Sequence, residues 1–214
     1  VPDWIQRALA AIGFAVLLPV LGLLAVVVRL ETPGPSLYRA RRVGRHGVVF
    51  TAMKFRTMHW APARAGARIS RSRDPRVTRL GGWLRATRLD ELPQLWNVLR
   101  GEMRLVGPRP EDPRFVDLTD ATVAEILALR PGITGLAQLG FADEGRVLVD
   151  DDPETAYRSI ILPRKRLVDR AYAQRRSTLL DLRILLWTVL VVAGRPPPED
   201  LIDRVVGDGR WRLP

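Results

Sequence analysis

The longest apolar run in the chain covers 8–28, is free of charge, and is bounded by Arg7 and Arg29. About 20 apolar residues suffice to cross a bilayer as a helix. A buried core helix is the alternative, and a signal peptide fits poorly because no short apolar core with a small-residue cleavage site is evident. Pro19 interrupts the run. It removes a backbone donor and crowds the preceding turn, so a kink is expected near Leu18. Such a helix can cross the membrane or enter and leave on one side. Thr32-Pro33-Gly34-Pro35 then breaks the helix. Val48-Val49-Phe50 predicts a short strand, and 61–74, rich in Arg, Ala, Gly and Ser, predicts a loop.

Apolar positions at 89, 92, 95, 96 and 99 have helical spacing, which predicts a helix over 89–99 ending near Gly101. A second helix is expected over 119–129, capped by Thr119 or Asp120 and followed by Pro131. Others are expected from Asp152-Pro153 to about Ile161 and over 163–176. The apolar stretch 179–192 carries Asp181 and Arg183, which suits a helix lying against a membrane or the core. Pro196-Pro197-Pro198 ends it, leaving a tail or a small cap. Few strand signals occur. The pattern predicts an α+β, mainly helical fold with a small sheet, divided as an anchoring helix (1–31), a body (32–194) and a C-terminal tail (195–214).

The charge changes this picture. There are 34 Lys plus Arg against 23 Asp plus Glu, a net charge of +11, and Lys54 and Lys165 are the only lysines. A GC-rich genome would give the same arginine excess. The functional alternative is an anionic partner: phosphate groups, acidic lipid headgroups or nucleic acid. Arginines after position 29 favour a cytoplasmic body. No cysteine is present, which excludes disulfides and thiolate chemistry. His46 and His59 lie in loop-like sequence, so neither a Ser-His-Asp arrangement nor a zinc site is expected. A metal, if used, should be a hard ion such as magnesium.

The densest group of reactive residues runs from Asp74 to Pro110. Asp90 and Glu91 stand together at the start of a predicted helix, with Arg85, Arg88 and Arg109 near in sequence. Helix capping explains such a pair as well as chemistry does. Arginine forks match phosphate oxygens, but they also make ordinary ion pairs. Gly107-Pro108-Arg109-Pro110 and Arg130-Pro131-Gly132-Ile133-Thr134-Gly135 read by default as turns. Neither G-x-x-x-x-G-K-[ST] nor G-x-G-x-x-G occurs.

Four stretches, taken together and in order, resemble the bacterial sugar transferase family, the monotopic phosphoglycosyl transferases. They are Lys54 to Met58, Leu89 to Leu99, Leu105 to Pro110, and Arg130 to Gln138. The resemblance covers roughly 3–193. It implies a minimal form without the large extra N-terminal membrane domain of some relatives. It also implies a re-entrant helix broken at Pro19, although Leu18 stands where many relatives have serine. The reaction implied is transfer of a sugar-1-phosphate from a UDP-sugar to polyprenol (undecaprenyl) phosphate, with UMP released, at the cytoplasmic face of the bacterial inner membrane. Asp90 matches the family nucleophile, and Glu91 the residue that binds Mg2+. Lys54, Arg85 and Arg109 match the basic residues around the phosphates. Arg56, Arg88, Gln138 and Asp181 are further candidates. Anionic lipids are expected partners, a homo-oligomer is possible, and nucleic acid is not expected, because no aromatic-basic interleaving accompanies the charge. The acidic segment 139–152 departs from relatives; it is either part of a sugar pocket or a solvated loop.

Overall fold

The computed structural model describes residues 1–60, 74–141, 152–196, 198–207 and 209–213. Most of the loop expected at 61–74 and most of the acidic segment 139–152 lie outside the described residues. Helix α1 (Asp3–Glu31) carries the apolar run, with Pro19 inside it. At 1.5 Å per residue it is about 43 Å long, more than the ~30 Å of a hydrocarbon core. It is long and apolar enough to cross a membrane, and little of its most apolar stretch is buried. Only Gln6, Ala10, Leu21, Leu24 and Val28 are buried, whereas Ile12, Val16, Leu23 and Val26 are exposed. A helix buried on all sides would not look like this, so the core-helix alternative loses its support.

An antiparallel hairpin follows: β1 (Leu37–Val43) and β2 (Val49–Phe55), paired from Leu37 opposite Phe55 to Val43 opposite Val49. Only the start of β2 was expected. The sequence Leu-Tyr-Arg-Ala-Arg-Arg-Val of β1 hides its strand character because its solvent face is arginine. Helix α2 (Arg79–Ala86), also unexpected, is capped by Thr78, whose hydroxyl accepts from the Gly81 amide at 2.9 Å.

The helix expected over 89–99 forms in two pieces. Leu89–Gln94 is a 3-10 helix containing Pro93, and α3 (Leu95–Leu99) continues it. Pro93 has no N–H to donate and its ring crowds the preceding turn, which disfavours one regular α-helix through 89–99. The strands β3 (Arg104–Val106) and β4 (Gly132–Thr134) pair in parallel. Between them lies α4 (Ala121–Leu127), capped by Asp120 as expected.

After α5 (Leu136–Gly140), α6 (Pro153–Ala156) runs through a π-helical turn, Tyr157–Ile161, into α7 (Leu162–Arg175). The two helices expected at 152–161 and 163–176 are thus one rod. Pro163 does not end it: it follows directly on the π-helical turn, where the regular bonding of the helix is already altered. Helix α8 (Thr178–Val192) buries Leu180, Asp181 and Ile184 and exposes Leu179, Leu182, Leu186 and Val189.

The C-terminal residues form the small cap rather than a loose tail. Helix α9 (Glu199–Val206) sets Leu201, Ile202 and Val205, with Trp211, into the cluster built by α5, α7 and α8. Two smaller clusters join α1 to the rest: Ala10 packs with Phe50, Leu95 and Val98, and Leu21, Leu24 and Val28 pack with Phe55 and Leu84. The elements that carry Lys54, Arg85 and Asp90 therefore lean on one apolar helix.

Candidate functional site

Three elements converge on one carboxylate pair. Strand β2 brings Lys54, the 3-10 helix brings Asp90 and Glu91, and the segment after β3 brings Arg109. Arg88 precedes the 3-10 helix in a left-handed conformation, with φ +58°. This turn reverses the chain from α2, and both acids point inward: Asp90 is 9% exposed and Glu91 7%. Neither caps the helix, because the 3-10 segment has no side-chain cap. The capping alternative for this pair is therefore not what the fold uses.

Lys54 Nζ donates to Glu91 Oε1 at 2.5 Å, and Arg109 Nη1 donates to the same oxygen at 3.4 Å. Burial alone would raise Glu91, but Lys54 and Arg109 outweigh it and hold its carboxyl at about 2. Asp90 behaves oppositely. Burial first, then the neighbouring Glu91 charge, push it above the usual carboxylate range, against the pull of Lys54, Arg85 and Arg88. Two adjacent acids with divergent environments suit different roles, one a fixed charge and the other a reactive group. Lys54 is itself lowered by burial.

Arg85 is aimed by a side-chain contact. Its Nε donates to Thr57 Oγ1 at 2.8 Å. Helix α2 sits so close to this segment that a Cβ on Gly81 would strike the Thr57 backbone. Arg109 is placed by the parallel β3–β4 pair. The Gly107 amide donates to Thr134 O at 3.0 Å and the Gly132 amide to Pro108 O at 2.9 Å. A side chain on Gly107 or Gly132 would collide with the facing backbone. The two glycine-rich stretches that read as turns in the sequence are thus partners in one close approach.

The other candidates sit elsewhere. Arg56 closes the end of α1: its Nη2 donates to Val28 O at 3.0 Å and Thr32 O at 2.7 Å, and its Nη1 to Pro33 O. A cation at a helix C-terminus satisfies its last carbonyls. Asp181 is fully buried, accepting from Tyr172 Oη at 2.6 Å with Arg104 and Arg176 each at 3.9 Å. It shares none of these partners with Asp90 or Glu91. Gln138 on α5 is buried, and neither amide atom has a partner among the described residues. His46 lies in the β1–β2 turn and His59 follows the hairpin, so neither joins the acids.

Asn97 is the residue that sequence reasoning missed. Its Oδ1 accepts from the Met53 amide at 3.0 Å, and its Nδ2 donates to Thr51 O at 2.8 Å and Glu102 Oε2 at 2.7 Å. It fastens α3 to the strand that carries Lys54. The available signal was a polar residue inside an apolar helical stretch. Among the described residues, no group of three or more His, Asp or Glu is arranged to hold a metal by itself. Magnesium commonly takes one or two carboxylates and completes its shell with substrate phosphates and water, which the Asp90–Glu91 pair fits. Lys54 and Arg109 both use Glu91 Oε1.

Comparison with known proteins identifies the family. The chain is 42% identical over 184 residues to a UDP-glucose:undecaprenyl-phosphate glucose-1-phosphate transferase of Caulobacter vibrioides, covering 84% of this chain and 65% of that protein. It is 40% identical over 151 residues to a UDP-N-acetylgalactosamine-undecaprenyl-phosphate N-acetylgalactosaminephosphotransferase of Aeromonas hydrophila, covering 67% of this chain and 36% of that protein. An exopolysaccharide production protein of Sinorhizobium fredii is 34% identical, with 84% of each chain covered. The chain thus spans less than two thirds of the length of several curated relatives. The model of the bacterial sugar transferase family matches residues 2–195, with the carboxylate pair and its cations all inside the matched region, and the chain belongs to that family.

Proposed function

We propose that the protein is a phosphoglycosyl transferase that moves a sugar-1-phosphate from a UDP-sugar to polyprenol (undecaprenyl) phosphate and releases UMP. The observation that carries this reading is Asp90: a buried carboxylate that accepts no hydrogen bond among the described residues, beside a charge-fixed Glu91 and within the field of Lys54, Arg85 and Arg88. In the first step an Asp90 oxygen bonds to the sugar-linked phosphorus as the bond from that phosphorus to the bridging oxygen breaks, and UMP leaves with the bridging oxygen. In the second, an oxygen of the polyprenol phosphate attacks the same phosphorus and frees Asp90. Splitting the transfer this way means that the two phosphate substrates never share the site. Lys54, Arg85, Arg88 and Arg109 offset the repulsion between a carboxylate and a pyrophosphate. Glu91 would hold Mg2+, which would supply charge neutralisation for the phosphates. Lys54 and Arg109 keep Glu91 ionised for that purpose.

The exposed apolar faces of α1 and α8 support anchoring in the bacterial inner membrane with the body on the cytoplasmic side. Pro19 is the natural point for a re-entrant bend, and the net charge of +11 favours anionic lipids. This placement suits an acceptor whose phosphate lies at the headgroup level. The names of the relatives point to an early membrane step in assembling an exopolysaccharide or another surface glycan. The test is intact-protein mass spectrometry after incubation with a panel of UDP-sugars and no acceptor. The expected result is UMP release with a phosphosugar added at Asp90. Turnover without that adduct in wild type, together with full activity in Asp90→Asn, overturns the covalent route.

A further inference from the structure

Five buried side-chain polar atoms among the described residues lack a hydrogen-bond partner: Arg56 Nε, Arg104 Nε, both amide atoms of Gln138, and Asp169 Oδ1. The two arginines satisfy other N–H groups on backbone carbonyls. Asp169 is different because it also borders empty space. It lies on α7, is 6% exposed, and lines a cavity of about 40 Å3 together with Arg109, Glu111 and Lys165. The Arg109 amide N–H donates to its carboxylate, and burial with the nearby Glu111 charge pushes it up to about 8. Its neighbours are occupied: Tyr157 Oη donates to Glu111 Oε1 at 2.8 Å, and Lys165 Nζ lies 3.4 Å from the same hydroxyl. A buried acceptor left open beside a cavity is rare in a native fold and asks for an occupant.

The cavity does not stand alone. It shares Phe115, Val116, Leu162 and Arg166 with an outer groove of about 250 Å3 that opens between Arg114 and Arg158. Its inner end is Arg109, whose guanidinium also reaches Glu91 at 3.4 Å. One arginine therefore has its backbone at the inner cavity and its side chain at the reacting phosphates. That spacing, one extended side chain, is comparable with the distance from a nucleotide's phosphates to its sugar and base. The groove walls come from α4, α7 and the segment after β3, whereas α1 packs on α2, α3 and β3. This separates the groove from the long apolar helix and disfavours a lipid tail.

We infer that this groove holds the nucleoside half of the donor, with Asp169 Oδ1 accepting a hydrogen bond from a ribose hydroxyl or from the N–H of the base. The inference rests on the transfer reaction proposed above. Asp169 is a binding residue here and takes no part in bond making.

The experiment is calorimetric titration of the full-length protein with UMP, 2′-deoxy-UMP, CMP and inorganic pyrophosphate, comparing wild type with Asp169→Asn and Asp169→Ala. Loss of the hydrogen bond at Asp169, complete in the alanine variant, should weaken UMP about tenfold and leave pyrophosphate unchanged. If the variant stops distinguishing UMP from 2′-deoxy-UMP, the bond is to ribose; if it stops distinguishing UMP from CMP, the bond is to the base. Equal UMP affinity in the variants and wild type overturns the inference, as does equal loss of UMP and pyrophosphate. Should both variants fail to fold, wild type photo-crosslinked with 5-iodo-UMP decides: label in 111–117 or 157–169 supports the groove, and label confined elsewhere overturns it. An Asp90 adduct with unchanged UMP binding in the variants sinks the groove alone. Asp169-dependent UMP binding without any adduct or turnover sinks the transfer reaction and keeps the groove.

Discussion

Asp90 and Asp181 are both buried aspartates surrounded by arginines, yet the fold treats them in opposite ways. Asp181 is completely enclosed, receives the Tyr172 hydroxyl at 2.6 Å, and has Arg104 and Arg176 within 3.9 Å. Asp90 keeps a narrow opening to solvent and accepts no hydrogen bond among the described residues. Its nearest acid is Glu91, and its cations act on it without touching it. An acid whose donors are supplied by the fold holds the structure together. An acid that is desolvated without donors stores free energy that a substrate phosphate can use.

The sharpest way to break this comparison is to neutralise each acid in turn. Asp90→Asn should lower UMP release by at least about a thousandfold, the scale expected for loss of a covalent nucleophile. Its stability should rise. The folded-state pKa of Asp90 lies above its unfolded value of 3.8. Its favourable contribution is therefore complete below pH 3.8 and is lost as pH climbs through the folded pKa, so at pH 7 the ionised side chain destabilises the fold. Asparagine removes that penalty, and the melting temperature should increase. Asp181→Asn should do the reverse, costing about 2–4 kcal/mol in urea denaturation because Arg104 and Arg176 lose their counter-charge. Equal destabilisation by the two variants would erase the distinction.

A second perturbation acts on Glu91. Lys54 supplies the largest pull against burial. In Lys54→Met, Glu91 should rise from about 2, and the acid limb of the pH–rate profile should move upward with it. Activity at pH 7 should fall about a hundredfold, on the scale of removing one preorganised charge from an active site. The sign for stability follows from the depressed pKa. In wild type, Glu91 stabilises the fold above 4.5, and this is lost as pH falls toward 2. The variant should therefore lose stability at neutral pH and show a flatter acid denaturation curve. Lys54→Arg keeps the charge and should recover part of both effects.

Much of the reactive side of this comparison was legible in the sequence. Asp90, Glu91, Lys54, Arg85 and Arg109 were named as one site from their motifs, and the fold brings Lys54 and Arg109 onto Glu91 and Arg85 into the field of Asp90. The long apolar helix α1 could be read because 8–28 holds 21 uncharged residues in a row. Strand β1 could not, because arginine covers its solvent face, and helix α2 could not, because it is short, buries Gly81 with Leu84 and exposes Trp83, which blurs its period. Asn97 was hidden for a different reason. It occupies an apolar helical face, where a polar residue gives no sign of the strand backbone it will bind. Asp169 gave no local signal at all, since its meaning depends on the Arg109 amide and on a cavity formed by distant segments. Arg56 illustrates a further gap: its place in the motif made it a further site candidate, but only the packed α1 shows which carbonyls it closes.

Asn97→Ala tests whether reactivity depends on that concealed fastening. It removes three hydrogen bonds between α3, the strand and Glu102 and leaves part-buried backbone groups at Thr51 and Met53 without that partner. The expected cost is about 1–3 kcal/mol of stability. Activity at saturating substrate should fall about tenfold, through displacement of Lys54 rather than loss of charge. An unchanged pH–rate acid limb in this variant would mean that the Lys54–Glu91 contact survives without the fastening.

The smallest effect concerns how Asp90 is turned inward. Arg88 adopts φ +58° immediately before the acids, a conformation that costs a residue bearing a Cβ about 1 kcal/mol and glycine almost nothing. Its charge acts on both Asp90 and Glu91 without a direct bond. Arg88→Ala and Arg88→Gly delete that charge equally, so activity should drop a few-fold and to the same extent in both. Their stabilities should differ, with the glycine variant ahead by up to about 1 kcal/mol in urea, less what glycine's extra unfolded-state entropy removes. Matching activities with separated midpoints place the cost of the inward turn in the backbone and its benefit in the charge. Matching midpoints would show that the turn relaxes once the arginine is gone, and that the side chain itself holds the acids in place.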